Sequence, residues 1–76
     1  FMGINSGNFA MTGASNAGFG VNALTANTTG AQNVAIGHQA LNANTSGGNN
    51  TAVGYQTLFS NNTTSNNTAI GYNALN

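Results

Sequence analysis

The chain has 76 residues, one His, and no Lys, Arg, Asp, Glu, Cys, Pro or Trp, so its formal net charge is zero. The absence of Lys and Arg argues against a nucleic-acid partner, because these residues supply most of the affinity for phosphate. No apolar run approaches the roughly 18 residues of a membrane span. A neutral surface provides no repulsion between copies, so self-association is expected.

The chain repeats itself with a constant step of 17 residues. The clearest copies start at Asn33, Asn50 and Asn67, and read Asn-Val-Ala-Ile-Gly-His-Gln-Ala-Leu, Asn-Thr-Ala-Val-Gly-Tyr-Gln-Thr-Leu and Asn-Thr-Ala-Ile-Gly-Tyr-Asn-Ala-Leu. Equal units at a constant step are typical of repeat proteins. We therefore predict a single repeat domain over residues 1–76, with units near 1–15, 16–32, 33–49, 50–66 and 67–76.

Equivalent positions in successive units form columns of like residues. The apolar column contains Met2, Phe19, Ile36, Val53 and Ile70. The Gly column, one residue later, contains Gly3, Gly20, Gly37, Gly54 and Gly71. The Leu column contains Leu24, Leu41, Leu58 and Leu75, and the polar column contains Asn16, Asn33, Asn50 and Asn67.

Each unit is predicted to contain one strand of about eight residues, followed by a polar return. Apolar residues alternate with Gly and amide residues in the first half, and this period of two favours a half-buried strand. The second half mixes Asn, Thr, Ser and Gly, which is typical of turns. We expect the apolar and Leu columns to form the core. The Gly column is expected where a Cβ would collide with the opposite wall or where φ is positive.

Strands that recur at a constant step can lie parallel and in register, about 4.8 Å apart. Every column then becomes a ladder, along which Asn and Gln side chains exchange hydrogen bonds. The predicted fold is all-β: a parallel β-solenoid, or β-roll, of 17-residue coils that stack end to end into a filament. Small residues beside the Gly column indicate a thin coil; they are Gly18, Ala35, Ala52 and Ala69.

The segments Asn-Thr-Ala-Ile-Gly-Tyr and Asn-Val-Ala-Ile-Gly resemble the head repeats of trimeric autotransporter adhesins and the related repeats of phage tail-fibre proteins. The likeness covers residues 16–76. It implies a parallel β-roll on an extracellular fibre, at a cell or virion surface, that adheres or displays without catalysis. The unit is longer here than in the adhesin pattern, and its return is rich in Thr and Asn.

His38 is the only imidazole in a chain without carboxylate, amine or thiol side chains. One His forms no catalytic triad, and a zinc site needs three or four protein ligands, unless copies on neighbouring chains converge. We therefore predict that the chain is not an enzyme and has no catalytic, metal or cofactor site. His38 belongs to a further column, which we interpret as an amphipathic row with a solvent-facing edge. This column contains Ile4, Val21, His38, Tyr55 and Tyr72.

Both ends of the predicted solenoid are expected to be assembly surfaces. The sequence offers no charged cap, and an uncovered strand edge is a template for another strand. Phe1 and Ile4 mark one end, and Ile70 and Tyr72 mark the other. We predict head-to-tail self-assembly, with lateral chains or a homotrimer as alternatives. The opening residue, Phe1, indicates a processed form or a segment of a longer protein.

The leading functional prediction is a structural subunit or segment of an extracellular filament. The alternative is a binding module displayed on a β-roll, in which a hydroxyl row faces a glycan, a surface or ice. That row contains Thr12, Thr29, Ser46 and Thr63.

Overall fold

A computed structural model of the chain describes residues 13–75. Within this range there is no helix, and four strands form one parallel sheet, hydrogen-bonded in chain order. The strands are β1 (Ala17–Phe19), β2 (Val34–Ile36), β3 (Thr51–Val53) and β4 (Thr68–Ile70). Parallel strands without helices are thus confirmed for this part of the chain, which also holds no helix long and apolar enough to cross a membrane.

Each strand lies on the next in a register of one repeat. Ala35 of β2 pairs with Gly18 of β1 and with Ala52 of β3, which in turn pairs with Ala69 of β4. The residues that flank this column, including Ile36 and its equivalents, pair in the same way. The columns read from the sequence are therefore columns in space.

The strands have three residues each, so the predicted length of about eight residues is wrong. Left-handed or Gly-type backbone follows each strand: Gly37 has φ 131° and Gln39 has φ 59° after β2. These angles turn the chain away from the strand direction. Contact between units continues nevertheless, because Gln39 N–H donates to the Val21 carbonyl at 2.8 Å and Leu41 N–H to the Thr57 carbonyl at 3.0 Å.

The polar return of each unit is also hydrogen-bonded to its equivalent. Thr28 N–H donates to the Thr45 carbonyl at 3.0 Å, and Asn49 N–H to the Ala31 carbonyl at 3.0 Å. Backbone groups in a return would otherwise need water or side chains as partners. One unit therefore orders the return of the next as well as its strand.

The core consists of small strand residues and the Leu column. Its members are Ala23, Leu24, Ala35, Ala40, Leu41, Ala52, Leu58 and Ala69. In each strand only the middle residue points inward, because side chains alternate between the two faces. The interior beneath the strands is thus filled by Ala, while Leu residues fill the rest.

The predicted place of the apolar column in the core is wrong. Phe19 is 43% exposed, Ile36 is 42% exposed and Ile70 is 70% exposed, and Val53 is half-buried. These residues do lie next to one another, yet they form an outer row because they flank the inward-facing Ala column. Met2, Gly3, Phe1 and Ile4 lie outside the described residues.

Leu41→Ala is expected to lower the free energy of unfolding by about 3 kcal/mol, because it leaves a cavity at a fully buried site. Ile36→Ala is the matched control in the neighbouring column, and it is expected to cost less than about 1 kcal/mol because Ile36 is already part-exposed. Urea denaturation of both variants measures the difference. Equal losses would contradict the assignment of the inner and outer columns.

Candidate functional site

The polar column forms a ladder of Asn side chains at the entrance to each strand, here called the first Asn ladder; it contains Asn16, Asn33, Asn50 and Asn67. Asn33 Nδ2 donates to the Gly47 carbonyl at 2.9 Å, across the unit. Asn33 Oδ1 accepts from the backbone N–H of Asn50, its equivalent in the next unit, at 3.0 Å. Asn16 and Asn50 make the equivalent bonds, so these three side chains join the strand to its own return and to the following unit. The predicted amide exchange along this column is mostly a side chain-to-backbone connection.

A second Asn ladder, which the sequence interpretation missed, runs through the return and contains Asn27, Asn44 and Asn61. Asn44 Nδ2 donates to Asn27 Oδ1 at 2.7 Å, and Asn61 Nδ2 donates to Asn44 Oδ1 at 3.1 Å. Asn27 and Asn44 are fully buried. The signal for this ladder was present in the sequence as Asn at the repeat step, three residues before Gly30 and Gly47.

The two Asn ladders meet on one carbonyl in each unit. The Gly47 carbonyl accepts from Asn33 Nδ2 at 2.9 Å and from Asn44 Nδ2 at 3.0 Å. A carbonyl oxygen has two lone pairs, so both are used. Among the described residues, no buried side-chain nitrogen or oxygen lacks a hydrogen-bond partner. The polar interior is therefore fully satisfied, which such an interior requires if it is not to destabilise the fold.

The Gly column has two independent requirements. Its described members have φ between 126° and 131°, a region that L residues rarely adopt; they are Gly20, Gly37, Gly54 and Gly71. A Cβ on Gly20 would lie 2.6 Å from the Gly37 carbonyl oxygen, and a Cβ on Gly54 would lie 2.6 Å from that of Gly71. The positive φ predicted as one alternative is confirmed, whereas the obstacle to a Cβ is the next Gly in the stack and not the opposite wall.

The Leu column is buried by the following unit. Leu24, Leu41 and Leu58 are at most 3% exposed, whereas Leu75, which has no described unit above it, is 64% exposed. All four have φ between 50° and 55°. This left-handed conformation costs roughly 1–2 kcal/mol for a non-Gly residue. Burial against the next unit offsets that cost, so the conformation of each unit depends on its neighbour.

The outer surface carries stacked aromatic rings. The His38 and Tyr55 rings are 5.2 Å apart between centroids and inclined by 8°, and Tyr55 and Tyr72 are 5.2 Å apart and inclined by 7°. All three side chains are exposed. Three members of the predicted row, His38, Tyr55 and Tyr72, therefore form a continuous stack of exposed rings.

The remaining predicted site residues also lie on the surface. Thr29, Ser46 and Thr63 are exposed, which leaves their hydroxyl row open to solvent, while Thr12 lies outside the described residues. Of the predicted assembly ends, Ile70 and Tyr72 are 70% and 75% exposed on the outer side of β4.

Residues 13–75 contain no group of three or more His, Cys, Asp or Glu that could hold a metal ion. The absence of enzyme activity stays a prediction. No protein-family model matches the chain, and no curated protein or solved structure is significantly similar to it.

Proposed function

We propose that the chain is a structural segment of an extracellular fibre, folded as a parallel β-solenoid of 17-residue coils. The observation that carries this proposal is the dependence of each unit on the next. Leu41 is fully buried only because the following unit covers it, and Asn33 and Asn44 each hydrogen-bond to that unit through a buried side chain. Units of this kind have little stability alone and gain it by stacking.

The chemistry of the contacts between units supports a mechanical rather than a catalytic role. Contacts between units consist of hydrogen bonds and packed apolar groups, and the chain has no ion pairs that salt could weaken. A stack with these contacts suits exposure to variable pH and ionic strength. Together with the resemblance to adhesin and tail-fibre repeats, this favours a location at a cell or virion surface.

The outer apolar row and the stacked rings offer a surface for lateral contact with other chains. Phe19, Ile36 and Ile70 are exposed, and exposed apolar side chains in a continuous row are a common feature of interaction surfaces. Lateral partners, including a homotrimer, are therefore part of the proposal.

Amide hydrogen exchange tests the stacked fold on which the proposed role depends. A stacked structural segment is expected to protect backbone amides at the repeat step, including those of Gln39, Leu41 and Gln56, which donate to neighbouring units. Oriented material is expected to diffract at about 4.8 Å along the stacking axis. Protection without the 17-residue recurrence, or none in residues 33–58, would contradict the proposal.

A binding module is the second candidate, and the ring stack is the observation that favours it. The exposed ring edges of stacked Tyr side chains contact sugars and apolar surfaces well, because they combine apolar area with a hydroxyl. Tyr55→Ala is expected to abolish retention on a glycan array or an ice surface if this function holds, while Thr29→Ala tests the hydroxyl row. Binding that neither substitution reduces would exclude both faces.

A further inference from the structure

Thr64 occupies a position that Gly fills in the three preceding units. Gly13, Gly30 and Gly47 are its equivalents at the repeat step. A Cβ built on Gly30 would overlap the Gly47 carbonyl, and a Cβ built on Gly47 would overlap the Thr64 carbonyl. A side chain in this column therefore points at the backbone of the following unit, and Thr64 carries such a side chain.

The backbone of Thr64 is placed like that of its Gly equivalents. The Thr64 carbonyl accepts from Asn50 Nδ2 at 3.0 Å and from Asn61 Nδ2 at 3.2 Å, as the Gly47 carbonyl accepts from Asn33 and Asn44. The substitution thus leaves the convergence of the two Asn ladders intact. The substitution changes only the surface of this unit that a following unit would contact.

The Thr64 hydroxyl contacts the polar group that the second Asn ladder of an inner unit offers to its neighbour. In an inner unit, Asn44 Oδ1 accepts from Asn61 Nδ2 of the following unit. In the last described unit, Asn61 Oδ1 accepts from Thr64 Oγ1, and Thr64 Oγ1 accepts from Asn67 Nδ2 at 3.2 Å. The second Asn ladder therefore ends on a hydroxyl of its own unit, and the same hydroxyl accepts from the last member of the first Asn ladder.

We propose that Thr64 terminates the stack. Its Cβ prevents a further unit from docking in the repeat register, and its hydroxyl makes the hydrogen bond to Asn61 Oδ1 that such a unit would otherwise make. The inference rests on the proposed structural function and limits it to a stack that does not grow past this unit. It implies that copies of this chain do not polymerise head to tail through β4, contrary to the sequence-based prediction. The strand side of the same unit is open, since Tyr72 and Leu75 are exposed. The obstruction therefore depends on one residue.

Extension of the full chain by one unit tests the proposal. A copy of residues 43–59 fused after Asn76 continues the repeat step, and it places a Gly equivalent over position 64. Hydrogen exchange then reports whether the added unit docks. With Thr64 the added amides are expected to exchange as in an unfolded chain, whereas with Thr64→Gly they are expected to be protected at least about 100-fold.

Two further variants separate the steric and polar contributions. Thr64→Ala keeps the Cβ and removes the hydroxyl, and it is expected to exclude the added unit as Thr64 does. Thr63→Gly makes the same substitution at the exposed neighbouring position and is expected to leave the added unit undocked. Docking in the Thr64 chain, or no docking in Thr64→Gly, overturns the proposal.

The original residues serve as an internal reference in every variant. Protection of residues 33–58 is required by the proposed structural function, and its loss in the unextended parent chain would contradict that function itself. If these residues are protected but the added unit exchanges equally in the Thr64 and Thr64→Gly chains, only the role of Thr64 is contradicted. In a second readout, light scattering of Thr64→Gly without the fusion is expected to reveal end-to-end assemblies at concentrations where the parent gives none.

Discussion

Asn44→Asp is expected to destabilise the fold by about 4–5 kcal/mol at neutral pH, enough to unfold a domain of this size. Asn44 is fully buried, and its Nδ2 donates to Asn27 Oδ1 at 2.7 Å and to the Gly47 carbonyl at 3.0 Å. A carboxylate at this site would face two oxygen acceptors without a proton to donate. The loss combines two missing hydrogen bonds with the burial of an uncompensated charge.

The pH dependence of this variant identifies the cause. Burial among oxygen acceptors raises the pKa of the introduced carboxyl above the value of about 3.9 that it has in the unfolded chain. The folded state therefore binds the proton more tightly, so stability is greatest below about pH 4 and is lost as pH rises through the folded-state pKa. At pH 3 the expected loss falls to about 1–2 kcal/mol, because the neutral acid can donate one hydrogen bond.

The parent chain is a clean background for this measurement because it contains no Asp or Glu. Its stability is expected to change little between pH 3 and pH 5. Asn49→Asp is the matched control: Asn49 is exposed and has φ 58°, a conformation that Asp tolerates. Urea denaturation at pH 3, pH 5 and pH 7 measures both variants, each against the parent chain at the same pH. If Asn44→Asp behaves like Asn49→Asp, the second Asn ladder is not a buried structural element.

The repeat step and the parallel register could be predicted because both depend on like residues recurring at equivalent positions. Like residues that recur every 17 positions can satisfy one another only if they are adjacent, and Ala35 and Ala52 are paired as this requires. The step alone orders the strands as β1-β2-β3-β4.

The inward face could not be predicted, because alternation does not say which set of residues points inward. Ile36 and its equivalents are larger and more apolar than Ala35 and its equivalents, so hydrophobicity alone placed them in the core. The space beneath the strands accommodates only the smaller residues, and close-packed interiors admit no extra volume. Exposed Ile and Phe are tolerated on a surface, whereas an oversized core residue is not.

Thr64 and the second Asn ladder were missed for a different reason. The returns contain so many Asn, Thr and Ser residues that no single column stands out by composition. Only the three-dimensional structure reveals that Asn44 lies inside the stack and that the Gly30 column faces the next unit. With that geometry known, the change from Gly to Thr at position 64 becomes the most informative departure from the repeat.

The other large effect is expected from Gly54→Val, which should cost about 4 kcal/mol or more. Gly54 has φ 131°, where a β-branched residue is strained by roughly 1–3 kcal/mol. Its Cβ would also lie 2.6 Å from the Gly71 carbonyl oxygen, an overlap that forces the two units apart. The substitution therefore acts on the backbone of one unit and on its contact with the next.

Gly71→Val separates these two contributions. Gly71 has φ 126°, and a Cβ at this position meets nothing within 4 Å. The backbone strain is thus retained while the collision is absent, and the expected loss is about 1–3 kcal/mol. In urea denaturation, the free energy of unfolding of Gly54→Val should be about 2 kcal/mol lower than that of Gly71→Val, because overpacking adds its own cost. Equal losses would mean that the units can separate at the Gly column, and the stack would not be held by close contact there.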